Sequence, residues 1–459
     1  WGAASQFHDL VTANCIVAFS TLDPDKFIVS FRNGNNMTTR VGTITAGTST
    51  ISAWSSYVNW ASADDFMDSS IAFDPSTPYI TDSAGYPSNL KGTRFVIAYR
   101  RYGDPGYPGI AIVGNLDGTT ITFGNDYEFE STHVDEVNVA FIPNDYVNGN
   151  YGFSGKFIVT WYDTGNGGCH AIVGTITPSY GAADTIVYGS KVEFHGAASG
   201  NAFWNSISFD PNTQGKFVVC TQHWGAGYSV TCSVGNVSGT TITFGTRNAS
   251  TPTGHRPEVA FDPNTAGRFV VIWRHQQADA DLMDAYASVG TVTYGSPDTI
   301  AFGTPQKFAD GANLDTSNTY DNGTRMSIAF DLKGDSKFAI LHGMYVGSAD
   351  TSGNVIAGRI NAARATVDLA TGNFFTLDFG TTAGDIEDFV FSNADTTSNR
   401  VTTFTARIKQ YVAPFATRIK DTAIKWPGGD EPALTSTDHA VDVLSFTTYD
   451  GSVWYAEIE

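Results

Sequence analysis

Apolar residues alternate with small or polar ones in short runs along almost the whole chain, and the runs recur in a fixed order. From Pro257 onward, PEVAFD, GRFVVIW, AYASVGTVT and DTIAFG follow one another. Alternation with a period of two is the signature of half-buried strands. The same order appears earlier as KFIVSF, RVGTIT and STISAW, and again as KFVVCT, VTCSVGNV and TTITFG. Aligning the phenylalanine that closes the first run of each set gives Phe19, Phe73, Phe141, Phe209, Phe261, Phe330, Phe391 and, less clearly, Phe446, spaced about 52 to 69 residues apart. That period is too long for one coil of a β-helix and suits a four-stranded unit with variable loops.

The turn between the first two strands of a unit is written almost identically in FDPNTQGKFVV at Phe209 and FDPNTAGRFVV at Phe261. Asp210 and Asp262 are placed to bond the backbone ahead of them, Pro211 and Pro263 preset φ, and Gly215 and Gly267 tolerate a positive φ. These turns lack the dense oxygen spacing of a calcium loop, so calcium is the lesser reading and no other cofactor is implied.

A four-stranded antiparallel meander cannot cover both its faces alone, and radial packing of such sheets buries each against its neighbours. The expected architecture is all-β, a single β-propeller over residues 1–459 with eight blades, or seven. Its units lie near 8–54, 66–124, 135–189, 203–245, 256–303, 325–380, 385–426, and 438–459 with 1–7. WGAASQFHD at Trp1 matches FGTPQKFAD at Phe302 and YGSKVEFHG at Tyr188, while the stretch from Ala440 reads as two strands, so the two termini are expected to close the ring. A row of β-sandwiches would need about seven strands per repeat instead of four.

Strand order puts the loops between second and third strands on one face, and these differ in every unit. They carry the candidate ligand-binding residues: Tyr102 and Tyr107, Trp161 and Tyr162, His223 and Trp224, Trp273 and His275. Aromatic platforms beside polar groups suit sugar rings or a protein partner. The competing reading makes Trp161, Trp224 and Trp273 packing residues at the ends of second strands. Asp279, Asp281 and Asp284 in ADADLMD are weak candidates for a cation, and a solvated acidic hairpin explains them more simply. Tyr-, Asn- and Gly-rich insertions after Pro75 and Pro143 fall on the opposite face and suit a subunit contact or plain surface loops.

Composition agrees with the pattern: 47 Gly, 31 Phe and 20 Tyr accompany only 16% charged residues. With 46 acidic against 26 basic residues, the formal charge of -20 repels nucleic acid and anionic membranes. The one basic stretch, from Ala406 to Lys425, alternates as a strand face does. No apolar run is long enough to span a bilayer and no charged-then-apolar leader precedes the first strand, so a soluble chain is expected, while the start at Trp1 in place of Met implies that something came before it. Cys220 and Cys232 flank TQHWGAGYSVT symmetrically and would oppose each other in a hairpin. Two reduced, half-buried thiols are expected there in preference to a disulfide. Nine scattered His and the absence of zincin, nucleophile-elbow, phosphate-loop and dinucleotide motifs give no catalytic assignment, although 46 carboxylates leave room for a glycosidase pair.

The strings FDPNTxGKFVV, VGTI and TITFG resemble repeat segments in virion structural proteins of tailed bacteriophages, particularly marine ones. The likeness runs from Ile16 to Thr304 and fades after Phe330. It implies a non-enzymatic virion or extracellular component, such as a tail fibre, adhesin or decoration protein. The partners it implies are neighbouring virion proteins or host-surface glycans, and it is compatible with an oligomer without fixing one. The alternative is a secreted propeller that binds carbohydrate or acts on polysaccharide, and a third reading is a purely structural module.

Overall fold

The computed structural model describes residues 13–458 apart from stretches between strands, of which 76–92, 144–154 and 310–325 are the longest. The chain forms two compact units, Trp1–Leu332 with Phe338–Ala357, and Lys333–Lys337 with Gly358–Glu459.

The first unit is a series of sheets, each built from consecutive strands paired in sequence order. The first sheet holds Ala13–Phe19, Lys26–Asn33, Asn36–Ile44 and Ile51–Trp54, and the second Phe66–Phe73, Thr93–Arg101, Gly109–Asp117 and Thr120–Glu130. The third holds Val134–Phe141, Lys156–Asp163, Gly168–Thr177 and Thr185–Tyr188, and the fourth Ala202–Phe209, Lys216–His223, Ser229–Ser238 and Thr241–Phe244. The fifth holds His255–Phe261, Arg268–Gln276, Met283–Thr293 and Thr299–Phe302, and a three-stranded sixth holds Ser327–Phe330, Lys337–Val346 and Asp350–Arg359. Every pairing along these first five meanders is antiparallel, so the all-β, four-stranded reading holds. The outer strand is longer than the sequence suggested. A second segment, such as Val192–His195 or Gln306–Ala309, pairs with the same third strand beyond a short break.

Alternation along the second strands explains how the sheets stack. In the second sheet, Phe95 and Ile97 pack with Ile28, Met37 and Val41 of the first, whereas Val96 and Ala98 face Val139, Phe141 and Phe157 of the third. Ile158 of the third then meets Phe209, Phe217 and Val219 of the fourth, and Val218 of the fourth meets Phe261, Phe269 and Val271 of the fifth. The second, third and fourth sheets therefore each bury both faces, one on the predecessor and one on the successor. Burying a phenylalanine in this way stabilises by about 1.5–3 kcal/mol.

The recurring Val-Gly strings have a packing cause. Phe27, Phe95, Phe157, Phe217 and Phe269 stand opposite Gly42, Gly114, Gly174, Gly235 and Gly290 in register. Each ring lies so close over its glycine that a Cβ at Gly235 would fall 2.0 Å from Phe217 Cζ. The DPN turns form as expected and also link sheets. Asp210 Oδ1 accepts the Asn212 N–H at 2.8 Å, while its Oδ2 accepts the Gly267 N–H at 2.7 Å and the Tyr294 hydroxyl at 2.5 Å, both from the next sheet. Gly215 and Gly267 adopt φ of 69° and 74°.

Two expectations are corrected. The run of antiparallel blades does not continue through the second unit, where Arg364–Asp368 pairs in parallel with Asp388–Ser392, Phe374–Asp378 with Thr402–Lys409, and Gly384–Ile386 with Ala416–Ile419. Val441–Thr448 and Trp454–Ile458 do form the antiparallel pair read from the sequence, around Phe404, Phe446 and Trp454. Cys220 and Cys232 form a disulfide instead of two thiols, because they are direct register partners with Cα atoms 4.1 Å apart. The Trp1 match that suggested closure, and the insertions after Pro75 and Pro143, lie outside the described residues.

Candidate ligand-binding site

The first strands of the third, fourth and fifth sheets share an irregularity. Pairing with the second strand slips between Asp135 and Asn138, between Phe203 and Ser206, and between His255 and Glu258. At each slip one residue takes a positive φ: Glu136 at 51°, Trp204 at 52° and Arg256 at 51°. Bulges of this kind re-aim side chains. Asn205, itself buried, braces one of them, donating to the Glu136 carbonyl at 2.6 Å while its Oδ1 accepts the Thr160 hydroxyl at 2.5 Å.

The residues that precede the bulges lie at the ends of the sheets that carry the variable loops. There they join a row of rings spanning three sheets. Tyr162, ending a second strand, meets Phe203 at 4.7 Å between ring centroids, and Phe203 meets Trp224 at 5.4 Å. Trp224 continues to Tyr228 at 5.7 Å, which stacks on His255 at 4.6 Å. Trp224 is 50% exposed, whereas its neighbours are half-buried or buried. Tyr228 holds its place with φ of 64° and its carbonyl accepts the Gly254 N–H from the fifth sheet. The row is therefore a shelf of fixed aromatic edges with one broad indole presented to solvent.

Polar groups at the shelf are held in defined protonation states. Burial, followed by the charges of Arg256, Arg274 and His275, lowers His255 from 6.5 to about 4, so it is neutral at physiological pH and can both donate and accept. Burial and then Glu136 push Tyr162 up to about 12, keeping its hydroxyl a donor. Beside them, His195 Nδ1 lies 3.0 Å from Thr221 Oγ1, and its ring meets His223 edge-on at 4.8 Å. Burial first, then Arg247 and His223, lowers His195 to about 3.

Of the residues expected from sequence, Trp224 stands at the centre of the shelf, Tyr162 at its buried end, and His223 beside it. Trp161 and Trp273, at 0% and 1% exposure, are corrected to core residues. Trp161 stacks on His170 and meets Phe129, and Trp273 stacks on Tyr286. Both face neighbouring strands because strand alternation points them into the inter-sheet layer. Tyr107 is exposed on the loop of the second sheet with the Arg100 guanidinium 5.9 Å from its ring, and Arg100 in turn pairs with Asp135 at 2.9 Å. His275 packs on Tyr286, and its charge acts on His255 of the shelf. Asp284 is buried and ion-paired with Lys307 at 3.2 Å, which accounts for its carboxylate without a cation. Tyr102, Asp279 and Asp281 lie outside the described residues. Sequence reasoning missed Phe203, Tyr228 and His255. The available signal was the break in alternation just before EVNVAF, WNSISF and RPEVAF.

No protein-family model and no curated protein matches the chain. Solved structures of similar outline include a fungal lectin from Aleuria aurantia, described as a six-bladed β-propeller with a novel fucose recognition mode, at 10% identity and a TM-score of 0.40 over 72% of this chain and 91% of the lectin. AofleA from Arthrobotrys oligospora matches at 8% identity and 0.41, over 76% of this chain and 86% of that one. An α-L-arabinanase from Penicillium chrysogenum, complexed with arabinobiose, matches at 11% and 0.38, over 76% and 93%. A likeness this distant assigns neither family nor function.

Proposed function

We propose that the protein binds carbohydrate on the aromatic shelf, with Trp224 as the platform for a sugar ring. The observation that carries this reading is the half-exposed Trp224 indole, fixed from both sides by Phe203 and Tyr228, with a neutral His255 beside it. A rigid aromatic face gives apolar contact to the C–H face of a sugar at little entropic cost, while neutral donor–acceptor groups suit hydroxyls. This is the reading that the sequence offered second, and it takes precedence over virion attachment.

We infer that the sheets of the first unit are blades of a β-propeller, because the second, third and fourth each pack by opposite faces on the one before and the one after. Binding, not hydrolysis, is the proposed activity. An extracellular setting is proposed from the Cys220–Cys232 disulfide, since such bonds persist in oxidising compartments. Attachment of a phage to a surface glycan is a special case of the same proposal, and finding the chain in purified particles by mass spectrometry would add it.

A glycan array with the purified chain, followed by titration calorimetry on the hits, tests the main reading. Saturable binding that is lost in a folded Trp224→Ala variant is expected. A blank array, or undiminished binding in that variant, would overturn it, and release of reducing sugar from a bound polysaccharide would overturn the non-catalytic assignment.

A further inference from the structure

We propose that the joint between the third and fourth sheets, at the end that carries the DPN turns, holds a binding site for a small ring-bearing carboxylate, on grounds independent of the aromatic shelf. The neighbouring joints show what is missing from it.

The joint between the fourth and fifth sheets is closed by acids. Asp210, directly after the first strand of the fourth sheet, accepts the Gly267 N–H and the Tyr294 hydroxyl of the fifth, and Lys216 Nζ lies 2.6 Å from Asp298 Oδ2. The joint between the second and third sheets repeats the second contact, with Arg94 Nε 2.5 Å from Asp184 Oδ2. Register identifies the residues at these positions between the third and fourth sheets. Phe141 pairs with Phe157 as Phe209 does with Phe217, so Ile142 stands in the place of Asp210, and Lys156 in that of Lys216. Ser238 pairs with Thr241 as Thr293 does with Thr299, so Gly239 replaces Tyr294 and Thr240 replaces Asp298. Both carboxylates and the phenol are therefore absent from this joint.

A donor that one of those acids would satisfy is still in place. Gly215 is the counterpart of Gly267: their φ angles are 69° and 74°, and a Cβ on each would fall 2.7 Å and 2.6 Å from the carbonyl oxygens of Val237 and Val292. The two turns share one backbone geometry, so the Gly215 N–H is aimed at the place that a carboxylate takes in the next joint. Gly215 is buried, and among the described residues its N–H donates to nothing. Buried backbone N–H groups without a partner are rare. The vacated space is a cavity of about 340 Å³, whose lining includes Ile142, Lys156, Gly215, Asn236, Val237 and Ser238.

This lining selects a carboxylate. The Asn236 carboxamide and the Ser238 hydroxyl bond to no other described side chain or backbone group, which makes three donors with the Gly215 N–H. Lys156 has contacts of its own and is not counted among them. No acidic residue stands among the described lining residues. A carboxylate only accepts, through two oxygens, and it is the group that the same N–H holds in the next joint. A ring attached to it takes the room that Tyr294 fills there, against Ile142 and Val237.

Titration calorimetry of the full chain with benzoate tests the proposal, with benzamide as the neutral isostere and sulfate as an anion of another shape. Benzoate is expected to saturate, at least about tenfold more tightly than either control. Thr240→Asp, on an exposed turn, puts back the acid that Asp298 supplies in the next joint. It is expected to weaken benzoate at least about tenfold while the chain melts no lower than the parent. Asn236→Ala removes a donor from the wall and is expected to weaken benzoate several-fold. Absence of benzoate binding by the parent, equal binding of benzamide or sulfate, or undiminished affinity in both folded variants would overturn the site. Trp224→Ala is expected to leave benzoate affinity unchanged, and a loss there would overturn its assignment to this joint.

Discussion

Trp224 owes its exposure to its position just past the end of a second strand, where alternation no longer turns it inward. Trp161 and Trp273 sit a few residues earlier in equivalent strands and are core. That difference of register was not legible in three similar-looking loop sequences, whereas the aligned phenylalanines were, because each repeats with the same neighbours. The glycines opposite the second-strand phenylalanines Phe27, Phe95, Phe157, Phe217 and Phe269 are tightly constrained single positions. Gly235→Ala would drive a methyl into the Phe217 ring at 2.0 Å, where no real Cβ fits. Overpacking of this kind costs about 1–3 kcal/mol, and a lowered urea midpoint with an unchanged slope is the expected result. At the shelf, His255 stays neutral down to about pH 4. Sugar affinity is therefore expected to be flat from pH 8 to 5 in calorimetric titrations, as far as this imidazole controls it.

Within single sheets, the meander, its DPN turn and its four-strand order were all readable from the chain, since alternation and turn chemistry are local. The second segment of the outer strand and the first-strand bulges were not readable, because both depend on which strand lies alongside. Asp210 shows how a local signal acquires a distant role. It caps its own turn and also holds Gly267 and Tyr294 of the following sheet. Asp210→Ala is expected to cost several times what removing an isolated turn aspartate would, on the order of 2–4 kcal/mol, since it strands buried donors in two sheets. A drop in melting temperature that Asp210→Asn only partly restores would bear this out. The disulfide ties adjacent strands of the fourth sheet across 12 residues of chain. Reduction is expected to cost roughly 3 kcal/mol on loop-closure grounds, measurable as a shift in the denaturation midpoint with and without reductant.

For the whole molecule, charge and buried histidine set the response to solution conditions. A formal charge of -20 opposes compaction through self-repulsion, so the melting temperature is expected to rise as salt is raised from low ionic strength toward physiological values. Acid acts in the opposite sense. The unfolded chain takes up protons at histidine near pH 6.5, while His255 and His195 refuse them until about 4 and about 3. The unfolded state thus binds more protons in that interval, and stability is complete above pH 6.5 and falls as pH drops through it. A denaturant series between pH 7 and 4 reads the slope directly. The parallel pairing in the second unit escaped the sequence reading for a related reason of scale: Phe391 mimics the repeat phenylalanines locally, but its strand pairs in parallel with Arg364–Asp368, a strand that is not its neighbour in the chain.

Positions 136, 204 and 256 share one backbone geometry and differ in everything the side chain offers. Such slots behave like sockets on a common chassis with one wire between them: the Glu136 carboxylate accepts the Trp204 backbone N–H, so an exchange at 136 has to keep an acceptor. Randomising codons 204 and 256 together in a display library should therefore yield folded variants at a far higher rate than randomising any two buried positions nearby.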